Sequence, residues 1–224
     1  MVTPEASSAL ASPTVDADPV ELRVLGCLIE KQRTTPDVYP LSVNALRLAC
    51  NQSTNRDPVV EYDEPTIRGA LERLSTRGWV RLASGPGSRA VKYRHLFDEA
   101  IGVSAPEISV LAVLMLRGAQ TIGELKQRTE RLHRFESLPE VDQTLRDLAS
   151  RELVAPLGRR PGQKEERWGQ LLGAGSETPQ TVAPPDDRVG ALEHRVEELE
   201  RRLAVLEGVQ RDGEGEDEAP VDIA

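Results

Sequence analysis

The stretch PLSVNALRLACNQSTNRDPVVEYDEPTIRGALERLSTRGWV, residues 40–80, decides the fold of this chain. Ser42 is a good helix N-cap, and the apolar residues after it recur at helical spacing, which predicts a first helix. Residues 51–58 are rich in Asn, Ser, Asp and Pro, and these residue types favour a turn. Asp63 caps a second helix, and Gly78 lies just past its end. The stretch therefore predicts two helices joined by a turn.

A β-hairpin is predicted directly after the second helix. Residues 79–82 alternate as a strand, the segment SGPGS (84–88) turns, and residues 90–95 return as a second strand. A helix-turn-helix followed by such a hairpin is a winged helix, and in a helix-turn-helix the second helix reads DNA. The sequence therefore predicts a winged-helix domain over residues 18–98.

The same plan is repeated in the second half of the chain. The segment SAPE (104–107) matches the helix start DPVE (18–21), and the apolar positions after each recur at the same offsets. Thr121 and Ser137 then open two further helices, and a second hairpin follows. We expect a second winged-helix domain over residues 99–173, packed against the first. The predicted fold class is α+β, mainly α, with tandem winged-helix domains followed by a C-terminal coiled-coil helix.

Each predicted domain should contain its own apolar core. The first core is expected to consist of Leu46, Ile67, Leu71, Leu74 and Trp79, and the second of Leu111, Leu114, Leu125, Leu145 and Leu148.

The candidate DNA-binding residues are the polar residues left on the outer face of the second helix and the basic residues of both wings. Their side chains are of the types that contact phosphates and base edges. The candidates are Thr66, Arg68, Arg73, Arg77, Arg89, Lys92, Arg94, Arg159, Arg160 and Lys164. The equivalent helix of the second domain, residues 139–151, carries a net charge of −1 and is a poor candidate.

The segments outside the two domains differ in composition. Residues 1–17 are predicted to be a disordered tail, residues 174–186 a flexible linker, and residues 208–224 an acidic disordered tail. Residues 187–207 carry a heptad repeat with Arg at every g position and Glu at every e position, which favours a parallel homodimer. The dimerisation residues are Val189, Leu192, Val196, Leu199, Leu203 and Leu206. The alternative is a single solvated helix.

The net charge of −9 over 224 residues is concentrated at the C-terminus. Residues 174–224 carry −9, whereas residues 18–98 carry +2 and residues 99–173 carry no net charge. The acidity therefore does not exclude a nucleic-acid partner, although it argues against a strongly basic, sequence-blind DNA coat. No secretion signal or membrane span is visible, so we expect a cytoplasmic protein with no membrane partner.

The sequence offers little that could perform catalysis or bind a metal. Cys27 and Cys50 lie on apolar helical faces, which favours buried reduced thiols over a disulfide or a metal site. None of the three histidines has metal-ligand spacing to another His or Cys, and no phosphate-binding loop or nucleophile elbow is present. We therefore expect no enzymatic activity, no cofactor and no metal.

Three stretches carry a resemblance to a known family. They are GCLIEKQRTTPDVYPLSVNALRLACNQSTNRDPVV (26–60), LRGAQTIGELKQRTERLHRFE (116–136) and RRPGQKEERWGQLL (159–172). They resemble the YceH family of bacterial proteins, whose function is uncharacterised. The resemblance implies a tandem winged-helix fold in a cytoplasmic bacterial protein and implies no activity. The first wing departs from the family, which favours a GFGNR-like turn there, and the tails are not part of the shared pattern.

Two functions stay open at this stage. The fold favours DNA binding, with the helix over residues 64–78 and the wings in contact with the duplex. The alternative is a non-enzymatic scaffold that uses the winged-helix surfaces to bind a protein partner, because such folds with nearly neutral surfaces also serve that purpose.

Overall fold

The computed structural model describes residues 16–83, 90–159 and 165–173. It is an α+β structure in which two similar sets of elements follow each other along the chain. The first repeat (18–98) contains α1 (Pro19–Thr34), a 3-10 turn (Pro36–Val38), β1 (Leu41–Ser42), α2 (Val43–Cys50), α3 (Glu64–Thr76), β2 (Val80–Leu82) and β3 (Lys92–His95). The second repeat (99–173) contains α5 (Ala105–Arg117), β4 (Gln120–Thr121), α6 (Ile122–Thr129), α7 (Leu138–Ser150), β5 (Val154–Leu157) and β6 (Arg167–Gln170). The short helix α4 (Phe97–Ile101) connects them.

The helix starts follow from the capping residues that the sequence predicts. Asp18 and Glu21 form a reciprocal capping box at α1, with both hydrogen bonds at 2.8 Å. Thr121 and Glu124 form a second capping box at α6. At α7 the capping box is incomplete. The Ser137 hydroxyl accepts from the backbone N–H of Glu140, but the Glu140 carboxylate accepts from the backbone N–H of Glu136 and not from that of Ser137. These caps satisfy donors that the first helical turn leaves unpaired.

Each repeat contains a three-stranded antiparallel sheet. The strand orders are β1-β3-β2 and β4-β6-β5, so the last strand of each repeat lies in the centre. The edge strands β1 and β4 were not expected from the sequence. They are two residues long, which is too short for an alternating pattern to appear. Each precedes a helix directly and therefore fixes the position of that helix against its sheet.

The apolar core is one continuous cluster. The expectation of two separate cores is therefore wrong, although all ten residues assigned to them are buried in that cluster. The two halves join through α1 and α5, which pack against each other. Gly26 permits this approach, because a Cβ atom there would lie 2.9 Å from the Leu116 Cγ. Every residue of α1 from 21 to 29 is buried.

The loop between α2 and α3 is held by polar side chains. The Asn51 side chain bonds both the N–H and the C=O of Tyr62, at 2.9 and 2.8 Å, and thereby closes the loop. Arg56 lies inside it with its side chain fully buried, and its guanidinium forms two hydrogen bonds with the Glu30 carboxylate, at 3.1 and 2.6 Å. The buried Arg56 thus ties the loop to α1.

Candidate nucleic-acid interface

The helix α3 is capped by Asp63, whose carboxylate accepts from the backbone N–H of Thr66. Its buried stripe consists of Ile67, Ala70, Leu71 and Leu74, as the sequence predicts. Thr66 is half-buried in the first turn, and Arg68 is exposed and pairs with Glu64 at 3.1 Å. An exposed pair of this kind is weak, so the Arg68 guanidinium remains available to a ligand.

Two other arginines of this region, Arg73 and Arg77, contact the start of α1. The Arg73 guanidinium lies 2.5 Å from the Asp18 carboxylate and 3.4 Å from that of Glu21. Arg77 donates to the carbonyl of Asp16 at 2.6 Å, and its guanidinium lies 3.8 Å from the Glu21 carboxylate. Glu21 is 1% exposed, so these two arginines supply the positive charge beside a buried acid.

The indole ring of Trp79 holds Arg77 from the other side. The Arg77 guanidinium carbon lies 5.0 Å from the ring centroid, which is cation–π geometry. Trp79 in turn packs edge-to-face on Phe97, with ring centroids 5.1 Å apart. Arg77 is therefore anchored to the core, and it has a structural function besides any contact it makes with a ligand.

The outer face of the first sheet carries a row of basic side chains. Arg81 of β2 lies opposite Arg94 of β3 in the antiparallel register, and Lys92 lies two residues from Arg94 on the same face. Val80 and His95 are buried on the opposite face. Arg94 lies 3.6 Å from Glu99, a residue whose side chain is 71% exposed. We call Arg81, Lys92 and Arg94 the basic row.

Arg81 is not among the candidate residues predicted from the sequence. It lies in the predicted strand between Val80 and Leu82, and the alternation alone places it on the face opposite Val80. The pairing register of β2 with β3, which brings Arg81 next to Arg94, cannot be predicted from the alternation alone. Lys92 and Arg94 were predicted, and the structure places both in this row. Arg89 lies outside the described residues.

The second sheet has no equivalent row among its described residues. Its register pairs Pro156 with Trp168 and Leu157 with Arg167, and Arg167 is buried. Arg159 is exposed just beyond β5. Arg160 and Lys164 lie outside the described residues. The exposed Arg146 of α7 pairs with Asp142 at 2.8 Å, so this helix carries little free positive charge.

Both cysteines are buried and free, as expected from the sequence. They lie on α1 and α2, and a hydrogen bond with Cys27, together with burial, raises the pKa of the Cys50 thiol. Cys50 is therefore a protonated thiol at neutral pH, which makes it a poor nucleophile.

The described ranges hold neither a cluster of metal-ligating side chains nor a helix that could span a membrane. They contain no group of three or more His, Cys, Asp or Glu side chains placed to hold a metal ion. Among the helices of these ranges, none is both long enough and apolar enough to cross a membrane.

The residues of the predicted C-terminal coil and of the acidic tail, and residues 1–15 of the N-terminal tail, also lie outside the described residues. That applies to all six dimerisation positions from Val189 to Leu206. Residues 16 and 17 of the predicted N-terminal tail are described: Ala17 is buried and its N–H donates to the Leu172 carbonyl at 3.0 Å, so this end of the predicted disordered tail is ordered. The parallel homodimer stays a prediction.

A family model described as "Protein of unknown function, DUF480" matches residues 17–163. The chain belongs to the DUF480 family. A "UPF0502 protein" of Serratia proteamaculans is 45% identical over 199 residues, which cover 83% of this chain and 93% of the relative. Another, of Solibacter usitatus, is 47% identical over 192 residues, covering 82% and 93%. A third, of Pelobacter propionicus, is 44% identical over 210 residues, covering 88% and 95%.

The predicted membership of an uncharacterised bacterial family is thereby confirmed, and it is consistent with the resemblance to YceH. The DUF480 match covers the first repeat and most of the second, and it ends before β6 and before the heptad region. The family description assigns no activity, so a function for this chain has to be argued from its own residues.

Proposed function

We propose that this DUF480 chain is a tandem winged-helix protein that binds duplex DNA through its first repeat and has no enzymatic activity. The order of elements supports the fold assignment, since each repeat runs helix, strand, helix, helix, strand, strand. Under this proposal α2 and α3 form the helix-turn-helix, and β2 and β3 form the wing. A cytoplasmic location would follow from this function.

The observation that carries the DNA proposal is the basic row on the outer face of the first sheet. Arg81, Lys92 and Arg94 lie on one face of adjacent strands, within a few ångströms of each other along and across the sheet. Three neighbouring cations of this kind suit the phosphate backbone, whose contacts position a protein on the duplex. Arg68 and Thr66 at the start of α3 would then reach the bases.

Ion pairs within the chain reduce the set of DNA contacts that the sequence predicts. Arg73 and Arg77 are used to hold α1, so we assign them to stability first and to DNA second. The second repeat contributes little positive charge in its described part and would act as a packing partner for the first. The DNA surface proposed here is therefore smaller than the one suggested by counting basic residues.

A mobility-shift assay with three substitutions tests this proposal. Replacing all three residues of the basic row by Gln should weaken binding to genomic fragments at about 50 mM salt, where phosphate contacts are strongest. The slope of log K against log salt should also become less negative by about two to three, because each lost phosphate contact removes about 0.9 from it.

The matched control removes the same charge from the second repeat. It carries Gln at three exposed arginines, Arg131, Arg134 and Arg146. This variant should bind nearly as well as the unmodified chain. The DNA proposal is wrong if the unmodified chain gives no shift, or if the control loses as much affinity as the basic-row variant.

One observation favours the second candidate, a protein-binding scaffold. Several large apolar side chains of the first repeat are exposed, as expected for a surface that meets a protein partner. They are Val38 (60%), Leu48 (56%), Val59 (58%) and Leu82 (61%). Under this alternative, Leu48→Asp would abolish partner capture while leaving any DNA affinity unchanged. Loss of DNA affinity in that variant would instead place Leu48 at the DNA surface.

We further propose that residues 187–207 join two copies of the chain in a parallel coiled coil. The support is the heptad register, with Arg at every g and Glu at every e, because an antiparallel pair would set like charges against each other. Two first repeats linked in this way could bind DNA together, and the linker of residues 174–186 would leave their spacing variable.

A further inference from the structure

A cavity of about 560 Å³ lies where the first repeat meets the second. Its walls come from the start of α1, the loop between α2 and α3, the end of α5, and the elements β4, α6, β5 and β6. This volume is within the range of pockets that hold small organic ligands. Neither the DNA proposal nor the scaffold alternative uses it.

Positive charge dominates the wall of this cavity. It is lined by the arginines Arg23, Arg56, Arg117, Arg128 and Arg167 and by only two acids, Asp57 and Glu124. Arg56 is neutralised by Glu30 at 2.6 Å, and Arg128 by Glu124 at 3.1 Å. Within the described residues, neither Arg23 nor Arg117 forms an ion pair with a carboxylate.

Arg23 is the more unusual of these two. It is only 4% exposed, and its guanidinium donates to two backbone carbonyls, those of Cys50 at 3.2 Å and Pro58 at 2.7 Å. Its Nε–H is buried without a hydrogen-bond partner. A buried cation that lacks a counter-charge is strongly unfavourable, and it becomes favourable once an anion supplies that charge.

Arg117 adds a second guanidinium at the same cavity. It donates to the Asn55 side-chain oxygen at 2.6 Å, and burial together with the positive charges of Arg128 and Arg56 lowers its pKa. Because Arg117 is partly buried and has no carboxylate partner among the described residues, an anion in the cavity would supply its missing counter-charge.

The remaining wall is apolar. It includes Leu22, Tyr62, Met115 and Leu157. An inorganic anion would leave this part of the cavity unfilled, whereas an organic anion would cover it.

We propose that this cavity binds a small organic oxyanion, with the Arg23 and Arg117 guanidiniums holding its phosphate or carboxylate head and the apolar wall covering its body. Guanidinium forks suit both head groups because each presents two oxygens in one plane. The ligand would contact both repeats at once, since Arg23 belongs to α1 and Arg117 to the end of α5. This proposal does not depend on DNA binding.

Calorimetry on the full chain tests it with three probes of similar shape. These are phenyl phosphate, benzoate and the neutral benzyl alcohol. Saturable binding of at least one anion below about 10 mM is expected, with benzyl alcohol at least tenfold weaker, because only the anions supply the missing charge. The anion that binds more tightly identifies the head group. Absence of saturable binding of either anion, or equal binding of benzyl alcohol, overturns the proposal.

Two variants locate the binding. Arg117→Gln should weaken the better anion tenfold or more, whereas Arg134→Gln, which removes an arginine that is 73% exposed and outside the cavity, should leave its affinity unchanged. Arginine Nε–Hε NMR signals give a readout that needs no variant, since the anion should shift the signals of Arg23 and Arg117. Equal affinity in the two variants, or unmoved signals of both arginines, overturns the assignment.

Discussion

The Arg56 side chain should be the largest single polar contribution to the stability of the first repeat. It is fully buried and forms five hydrogen bonds. Two go to the Glu30 carboxylate, and the other three go to the carbonyls of Ala49 and Asn55 and to the side chain of Gln52. These bonds connect α1, the end of α2 and the loop that follows it.

Arg56→Ala removes all of them and leaves the Glu30 carboxylate, which is 16% exposed, without its partner. Removing one member of a buried ion pair costs about 3–5 kcal/mol, and two orphaned carbonyls add to this. We therefore expect a loss of about 4 kcal/mol in the free energy of unfolding. Arg56→Lys should lose about 2–3 kcal/mol, because it keeps the charge but loses the planar fork.

Urea unfolding at pH 7 measures these losses, with midpoints interpreted at constant m-value. Arg134→Ala is the matched control, since Arg134 also pairs with a glutamate but is 73% exposed, and it should lose under about 0.5 kcal/mol. The double variant with Glu30→Gln and Arg56→Met should be more stable than Arg56→Ala, because no charge is left unpaired. A loss below about 1 kcal/mol in Arg56→Ala would refute the argument.

Three further predictions concern other parts of the chain. Replacing Arg73 and Arg77 together by Ala should cost about 1–2 kcal/mol, discounted for their exposure, whereas Arg68→Ala should cost under about 0.5 kcal/mol; equal losses in unfolding experiments would contradict the structural assignment. Burial lowers the pKa of His95 to about 4. As the pH falls, this side chain is therefore protonated in the unfolded state at a higher pH than in the folded state. About 2–3 kcal/mol of stability that is present above pH 6.5 should consequently be lost by pH 4.5. His95→Gln should abolish this part of the pH dependence, and an unchanged dependence would place the titration elsewhere. Sedimentation should give a dimer for the full chain and a monomer for a chain ending at Gly173; a monomeric full chain at tens of micromolar would exclude the coiled coil.

The local elements of this fold could be predicted from short-range patterns. The starts of α1, α2, α3 and α6 lie at capping residues that are visible in the sequence, and the buried stripe of α3 follows its helical period. Family membership could also be predicted, because whole stretches carry it. These features depend on residues a few positions apart, whose interactions are the same in any compact fold.

The arrangement of charges could not be predicted in this way. Arg73 and Asp18 are 55 positions apart, and only the packing of α3 against α1 makes them an ion pair instead of a free cation on a DNA-reading helix. Likewise, Arg81 lies next to Arg94 because of a strand register, and Arg23 and Arg117 line one cavity because the two repeats pack together. The sequence by itself determined which segments are helical and which residues are apolar, since local sterics and periodicity decide both. The tertiary structure alone decided which cations face solvent, which hold the fold together and which enclose a cavity, because the energy of a charge depends on neighbours that are distant along the chain.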